Sequence, residues 1–302
     1  MDDSRCSRRA RRLIPSIVAF ATIAFPSLTF AQRFGDVGVR AQGMAGAFVA
    51  VADDASATWW NPAGLSTGLN VVDLSAGVMR GGGHGVAFTF PSLGLSYYRL
   101  KISQIQPFSP IESAGSGRED NGAVSQFGAT FGHSITRQIA LATTVKLVNA
   151  RGETQADVDL GVMASFGAIR LGATVRNVGN PTFGSGVDAF TPGRRARAGA
   201  AVLGAGHGSL DGLVLAVDAD LNAAPIAGRG ERDVTAGVET WWFGRRLGVR
   251  GGGGADTAGG GGSFGAFGAS VTPYPRVNID GAVTRGSESA RNYWSFGMRL
   301  TF

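Results

Sequence analysis

Residues 293–302 read Tyr293-Trp294-Ser295-Phe296-Gly297-Met298-Arg299-Leu300-Thr301-Phe302. Trp294, Phe296, Met298, Leu300 and Phe302 take every second position, with Tyr293, Ser295, Gly297, Arg299 and Thr301 between them. Successive side chains of a strand point to opposite faces, so this is a strand with one apolar and one polar face.

The same period recurs upstream. Ile169, Leu171, Ala173 and Val175 alternate with Arg170, Gly172, Thr174 and Arg176. Leu213, Leu215, Val217, Ala219 and Leu221 alternate with positions that include Asp218 and Asp220, and Val234 to Trp242 repeat the pattern around Asp233 and Glu239. Carried along the chain, this predicts 14 strands near 70–79, 84–90, 93–103, 123–133, 138–149, 155–166, 168–178, 194–204, 210–221, 232–243, 245–252, 262–271, 275–285 and 292–302. Most are about 10 residues, the length a tilted strand needs to cross an outer membrane. The pair 245–252 and 262–271 is diluted by glycine, and without it 12 strands remain.

The connections alternate too. Longer gaps fall at 104–122, 150–154, 179–193, 222–231, 253–261 and 286–291; tight turns fall at 91–92, 134–137, 167, 205–209, 244 and 273–274. Only the first gap, near 80–83, breaks the order. Long loops at one end and short turns at the other are how an antiparallel outer-membrane barrel is built, with both termini on the periplasmic side. A soluble β sandwich has no reason to keep that order. It would also bring an inner face of hydrocarbon. Here the polar faces carry mid-strand charge: Arg99, Lys101, Lys146, Arg170, Arg176, Arg195, Arg197, Arg246, Arg250, Arg276 and Arg299 against Asp73, Asp157, Asp159, Asp218, Asp220, Asp233, Glu239 and Asp280. A barrel lumen tolerates paired or wet charge. Tyr98, Phe127, Phe131, Trp242 and Trp294 are the expected aromatic girdles.

Composition agrees with an exported, apolar β protein. Glycine numbers 48 of 302 residues without a collagen period, and charged residues are only 17%. The net charge of +6 halves once the first dozen residues, with five arginines and two aspartates, are set aside, which weakens a nucleic-acid reading. Arg5, Arg8, Arg9, Arg11 and Arg12 precede an apolar stretch from Leu13 to about Phe25, and Thr29-Phe30-Ala31 has small residues at −3 and −1. That is a secretory signal peptide over 1–31, expected to be cleaved. The single cysteine, Cys6, falls within it, so the mature chain is expected to carry neither disulfides nor thiol chemistry.

Residues 32–69 form a separate segment before the barrel at 70–302. Ala41, Met44, Ala45, Phe48 and Val51 recur at helical spacing, and Gly43, Gly46 and Ala47 let such a helix approach a wall closely. By spacing alone it is a plug filling the lumen. The alanine- and glycine-rich run 38–57 with its Asp53-Asp54-Ala55 turn, followed by Trp60-Asn61-Pro62-Ala63-Gly64, resembles the FadL-type outer-membrane transport proteins and the related PorV/PorQ-like proteins. The resemblance implies an all-β, 14-stranded transmembrane barrel with a short N-terminal helical hatch in the lumen. For FadL-type members it implies passive diffusion of hydrophobic compounds such as long-chain fatty acids, with a hatch rearrangement opening the path. On that mapping Gly43, Gly46, Asp53, Asp54, Asn61, Pro62 and Ala63 belong to the hatch, and Phe48, Trp59 and Trp60 line an apolar path. PorV-like members instead serve a protein-secretion system as partners or shuttles, so the partner is a small hydrophobic ligand or a secretion-system protein. Phe296, Met298, Leu300 and Phe302 resemble the C-terminal signal read by the barrel-assembly machinery; outer-membrane lipid is the other expected partner. The short outer loops depart from the larger fatty-acid transporters and leave the substrate open.

No enzyme, cofactor or metal site is expected. His84, His133 and His207 fall at strand ends without ligand spacing. Asp218 and Asp220, two apart on one strand among arginines, read as a lumen ion network in preference to an acid/base pair. The glycine runs 204–208 and 251–254 lack the lysine and the strand-to-helix setting of a phosphate loop and read as turns.

Overall fold

A computed structural model describes residues 37–67, 72–79, 83–101, 123–185, 189–226, 229–258, 262–288 and 291–302. The expected signal segment 1–31 with Cys6, the start of the plug at 32–36 and the whole of the loop 104–122 lie outside the described residues. The wall strands are β1 (Asp73–Met79), β2 (Gly83–Phe90), β3 (Leu93–Lys101), β4 (Ala123–Ser134), β5 (Ile139–Ala150), β6 (Glu153–Phe166), β7 (Ile169–Arg176), β8 (Arg195–His207) and β9 (Leu210–Asp220). A small hairpin of β10 (Ala224–Ile226) and β11 (Arg229–Glu231) follows, then β12 (Asp233–Trp242), β13 (Leu247–Asp256), β14 (Ser263–Tyr274), β15 (Val277–Gly286) and β16 (Tyr293–Thr301). Omitting the hairpin, 14 strands form a closed antiparallel barrel in which each pairs with its sequence neighbour. β1 closes on β16 from Asp73 opposite Thr301 to Met79 opposite Ser295. Closure leaves no edge strand with unpaired backbone, a requirement inside a bilayer.

The alternation sets the two faces. Outward Leu95, Phe127, Leu147, Leu171, Val217, Phe267 and Phe296 are each about half exposed, while their neighbours Ser96, Gln126, Lys146, Thr174, Asp218 and Ser295 are buried. The usual arrangement is inverted: hydrocarbon faces out, and the polar face encloses the lumen.

Several expectations change. Tyr98 is not in a girdle, and Arg99 does not face the lumen. In β3 the outward set begins at Leu93 and Leu95, so the period carries Tyr98 inward and buries it, leaving Arg99 exposed. The side chain of Lys101 lies outside the described residues. Arg246 and Arg276 sit exposed in the turns before β13 and β15, beyond the strand ends. The gap expected at 150–154 is only the two-residue turn Arg151-Gly152, both at positive φ, which makes a tight hairpin. The glycine runs are strand in the main. β13 continues through Gly251–Gly254, and β8 reaches His207 before Gly208 and Ser209 turn the chain.

Candidate functional site

The plug is short pieces of helix joined by turns. α1 (Val39–Gly43) stops where Ala45 and Gly46 take φ of 55° and 75°, so the continuous helical spacing read through Val51 is not realised. The apolar residues there face inward from turns instead. α2 (Ala57–Trp60) and a 3-10 turn (Pro62–Ser66) follow. Asn61 caps that turn, its Oδ1 accepting from the Ala63 N–H at 3.1 Å, with Pro62 at the first position, where no N–H is needed. The Asn61 amide also donates to the Val49 carbonyl at 2.9 Å and to Val162 on β6 at 3.0 Å, tying two plug segments to the wall.

Glycines let this chain lie against the wall. A Cβ at Gly252 would stand 2.6 Å from the Met44 carbonyl carbon and oxygen, and one at Gly237 would stand 2.7 Å from the same oxygen. At Gly172 it would meet the Val49 oxygen at 2.5 Å, and at Gly268 the Gly43 Cα at 3.0 Å. Outward Gly251 has no such neighbour, its nearest being a strand oxygen at 4.0 Å. The glycine that dilutes β13 on its inner face is therefore a groove for the plug backbone.

At the turn end of the barrel the plug is seated by charge. Arg40 donates through Nε and Nη2 to Glu239 on β12 (2.8 and 2.6 Å) and through Nη1 to Asp53 (2.5 Å) and Asp54 (3.1 Å). Arg250 on β13 shares Glu239 at 2.7 Å, Arg299 on β16 reaches Asp54 at 3.2 Å, and Arg170 on β7 reaches Asp53 at 3.4 Å. Burial disfavours the Arg40 charge, yet the pull of Asp53 and Glu239 wins and holds its pKa well above the ordinary value. Opposite, Asp218 accepts from the main-chain N–H groups of Phe48 (2.7 Å) and Val49 (2.8 Å). Asp73 accepts from Ala55 at 2.9 Å.

The middle of the plug is apolar and aromatic. Phe48, Trp59 and Trp60 are almost fully buried, with Trp60 donating to the Val37 carbonyl at 2.6 Å and packing edge-on to Phe48. Side chains of this size gain about 1.5–3 kcal/mol each when fully buried. Toward the long-loop end, Trp59 meets Tyr98 edge-on at 5.3 Å, and the Arg176 guanidinium lies 3.6 Å over its ring. Lys146 there is enclosed by Asp159 (2.5 Å), Asp157 (3.4 Å) and the side-chain Oδ1 of Asn177 (2.6 Å). The two carboxylates in turn accept from the main chain of Asn177 and Gly179, folding the loop after β7 so that its Phe183 is fully buried. Two cavities border the plug. One of about 50 Å³ lies beside Gly38, Gly77 and Gly297, and one of about 30 Å³ beside Trp60, Arg197 and Phe264. Each has room for water and none for a solute.

The sequence-derived residues thus have definite places. Gly43 and Gly46 lie where Gly268 and the Trp60 ring crowd them; Asp53 and Asp54 join the charged seat; Asn61, Pro62 and Ala63 form the capped turn. Phe48, Trp59 and Trp60 come together as a filled centre instead of an open path. Phe296, Met298 and Phe302 lie exposed on the outer face. Asp218 and Asp220 do enter a lumen ion network, with Arg197 and Arg195. Sequence reading missed the grip of Asp218 on the plug backbone, and missed Arg40 altogether. Arg40 was legible as the one charge in 38–52, but its wall partner Glu239 lies 199 residues away.

No family model matches the chain, and no curated protein matches it. Among solved structures, a monoaromatic hydrocarbon channel, CymD, superposes with a TM-score of 0.61 at 10% identity, covering 90% of this chain and 98% of that one. A Pseudomonas aeruginosa FadL homologue superposes with a TM-score of 0.52 at 9% identity, covering 91% and 99%. At these identities the likeness is one of fold alone.

Proposed function

We propose that this protein is an outer-membrane conduit for passive passage of small hydrophobic compounds, fatty-acid-like amphiphiles among them, and that residues 37–66 are its hatch. The observation that carries the reading is the way the plug is held. An aromatic centre is enclosed by a polar wall, and the plug touches that wall through ion pairs and main-chain bonds that can exchange for water one at a time. A purely structural filling would gain more from apolar contact with the wall than from buried ion pairs, which add little net stability. A partial rearrangement of the segment would expose the apolar side chains it carries, Phe48, Trp59 and Trp60, to a solute in the lumen. The likeness in fold to a hydrocarbon channel supports the same reading.

The test is native mass spectrometry of the barrel purified gently from its own membrane. A retained small apolar molecule is the expected result and names the substrate class. A retained protein in its place would overturn the conduit reading in favour of a secretion-system partner.

A further inference from the structure

We propose that the loop between β7 and β8 is a second, movable constriction of the lumen, a strap folded into the long-loop mouth that swings out on Asn180 while the plug stays seated. The inference goes beyond the hatch and rests on the conduit reading only for what the movement admits.

The wall makes room for the strap. Glu153 to Asp159 of β6 pair with β5 alone, because pairing with β7 stops at Leu160 opposite Val175. The chain leaving β7 takes the vacant side for one bond, from the Val178 N–H to the Val158 carbonyl at 3.0 Å. Thereafter every second residue of β6 holds it. Asp159 accepts from the Asn177 N–H at 2.8 Å, and Asp157 accepts from the Gly179 N–H at 2.8 Å. The Gln155 amide donates to the Thr182 carbonyl, and Glu153 accepts from the Gly184 N–H at 3.1 Å. Alternate residues share one face of a strand, and here that is the face of the buried lumen pair Asp157 and Asp159. A loop held by all four lies inside the barrel.

The apolar contacts agree. Phe183 is 0% exposed and clusters with Val124 of β4 and with Val148 and Ala150 of β5, whose side chains share the inner face. A loop standing off into solvent would leave that ring and those side chains wet.

The strap divides into a fixed root and a separate tip. In the root, the Asn177 amide donates to the Gly193 carbonyl at 3.1 Å, and Arg194 donates to the Val178 carbonyl at 2.6 Å. In the tip, Phe183 and Phe190 exchange both main-chain bonds at 2.8 Å and stack, while the Thr182 and Thr191 hydroxyls meet at 2.8 Å. Pro181 and Pro192 bracket the tip, and proline has no N–H to carry a wall ladder into it. Between the two stands Asn180 at φ 54°, a left-handed joint that asparagine tolerates. The tip is thus a small unit on a short hinge. Its bonds to Gln155 and Glu153 are exposed, so water can replace them, and Phe183 is the contact that opening must break. Segments held in this way open locally without unfolding the rest. Arg176, the residue before the root, stacks on Trp59, so a solute entering by this mouth meets the strap before the plug.

The test uses the full chain with Cys6→Ser, which removes its single cysteine. Ala150→Cys sets a thiol under Phe183, and Arg151→Cys sets one on the exposed turn beside it. A sulfonated maleimide that does not cross membranes should label position 150 completely, but at least about tenfold more slowly than position 151. Phe183→Ser should bring the two rates together, with heat-shifted gel mobility confirming a folded wall. Equal rates with Phe183 in place overturn the strap. A position 150 that never labels overturns the movement in favour of a fixed filling, and so does a rate that Phe183→Ser leaves unchanged. Should that variant fail to fold, Phe190→Ser is read in the same way. Uptake of the apolar dye phenylnaphthylamine, by cells that carry the barrel in their outer membrane, separates this proposal from the conduit. Phe183→Ser should raise uptake at least about twofold. Faster labelling with no dye uptake above that of cells lacking the barrel leaves the moving strap and removes the conduit. Barrel-dependent uptake that Phe183→Ser leaves unchanged keeps the conduit and overturns the strap as its constriction.

Discussion

At the turn end of the plug, Arg40, Arg250 and Arg299 are each matched by Glu239, Asp54 or Asp280 within hydrogen-bond reach. At the long-loop end, Arg176 and Gln126 are as deeply enclosed but have donors and acceptors left over. The two regions draw on the same residue types and the same wall. The turn end is largely closed by the protein's own carboxylates, with Arg299 Nε and Asp73 Oδ1 left without a hydrogen-bond partner, while the long-loop end leaves the Nε and Nη2 of Arg176 and the whole Gln126 carboxamide without one. A buried polar network gives rigidity to the extent that its members are paired, and each unpaired member carries a desolvation cost.

If the completed end is what keeps the lumen shut, the largest effect will come from removing the plug itself. Deleting residues 37–66 should turn a silent barrel into one with open-channel conductance in planar bilayers, with heat-shifted mobility on gels confirming that the wall still folds. Unchanged conductance in a folded barrel would remove the hatch assignment. Next in size, Arg40→Ala leaves Glu239, Asp53 and Asp54 without their shared cation. Breaking a buried ion pair on one side costs about 3–5 kcal/mol, which should appear as protease sensitivity within residues 44–56 while the strands stay resistant. Resistance equal to that of the unaltered protein would mean that the charged seat does not hold the plug.

A smaller effect should separate two adjacent glycines. Gly252→Ala drives a methyl group into the Met44 backbone and should destabilise the seated plug by about 1–3 kcal/mol, whereas Gly251→Ala, on the outer face, should be close to neutral. Hydrogen exchange at Met44 and its neighbours reports the difference, and equal exchange in the two variants would contradict the groove. The smallest effect is that of acid. Burial alone would raise the Asp54 pKa, but Arg40 and Arg299 outweigh it and hold it below 3.8. A carboxylate depressed in the seated state contributes stability above its free pKa and loses it as pH falls through the seated value. The share of plug protection that Asp54 supplies, read as the difference between the unaltered protein and Asp54→Asn, should therefore be flat from neutral pH down to about 3.8 and weaken only below it. Loosening well above that value would show that Asp54 is not ionised by the seat.

That the chain forms a β-barrel, and which residues of most strands face outward, was determined by the sequence alone, whereas 14 strands in place of 12 was decided by the structure. Period-two alternation is a local signal, and a bilayer outside with a wet lumen inside forces opposite chemistry on the two faces. The alternation failed as a guide at β3. The sequence 97–101 (Tyr97-Tyr98-Arg99-Leu100-Lys101) places a ring, a charge or a leucine on either face, so its phase had to be carried from Leu93 and Leu95. Gly251–Gly254 looked like a turn for a related reason. A glycine run carries no side-chain pattern; pairing with β12 and β14 holds it in a strand, and the Met44 backbone, more than 200 residues earlier, takes the space a side chain at Gly252 would need. Which charges meet is a property of the folded barrel: Arg40 finds Glu239, Asp218 finds the N–H groups of Phe48 and Val49, and Arg176 stacks on Trp59. Periodicity is written within about ten residues, whereas pairing across a lumen depends on which strands the closed ring sets opposite one another, and only tertiary structure decides that.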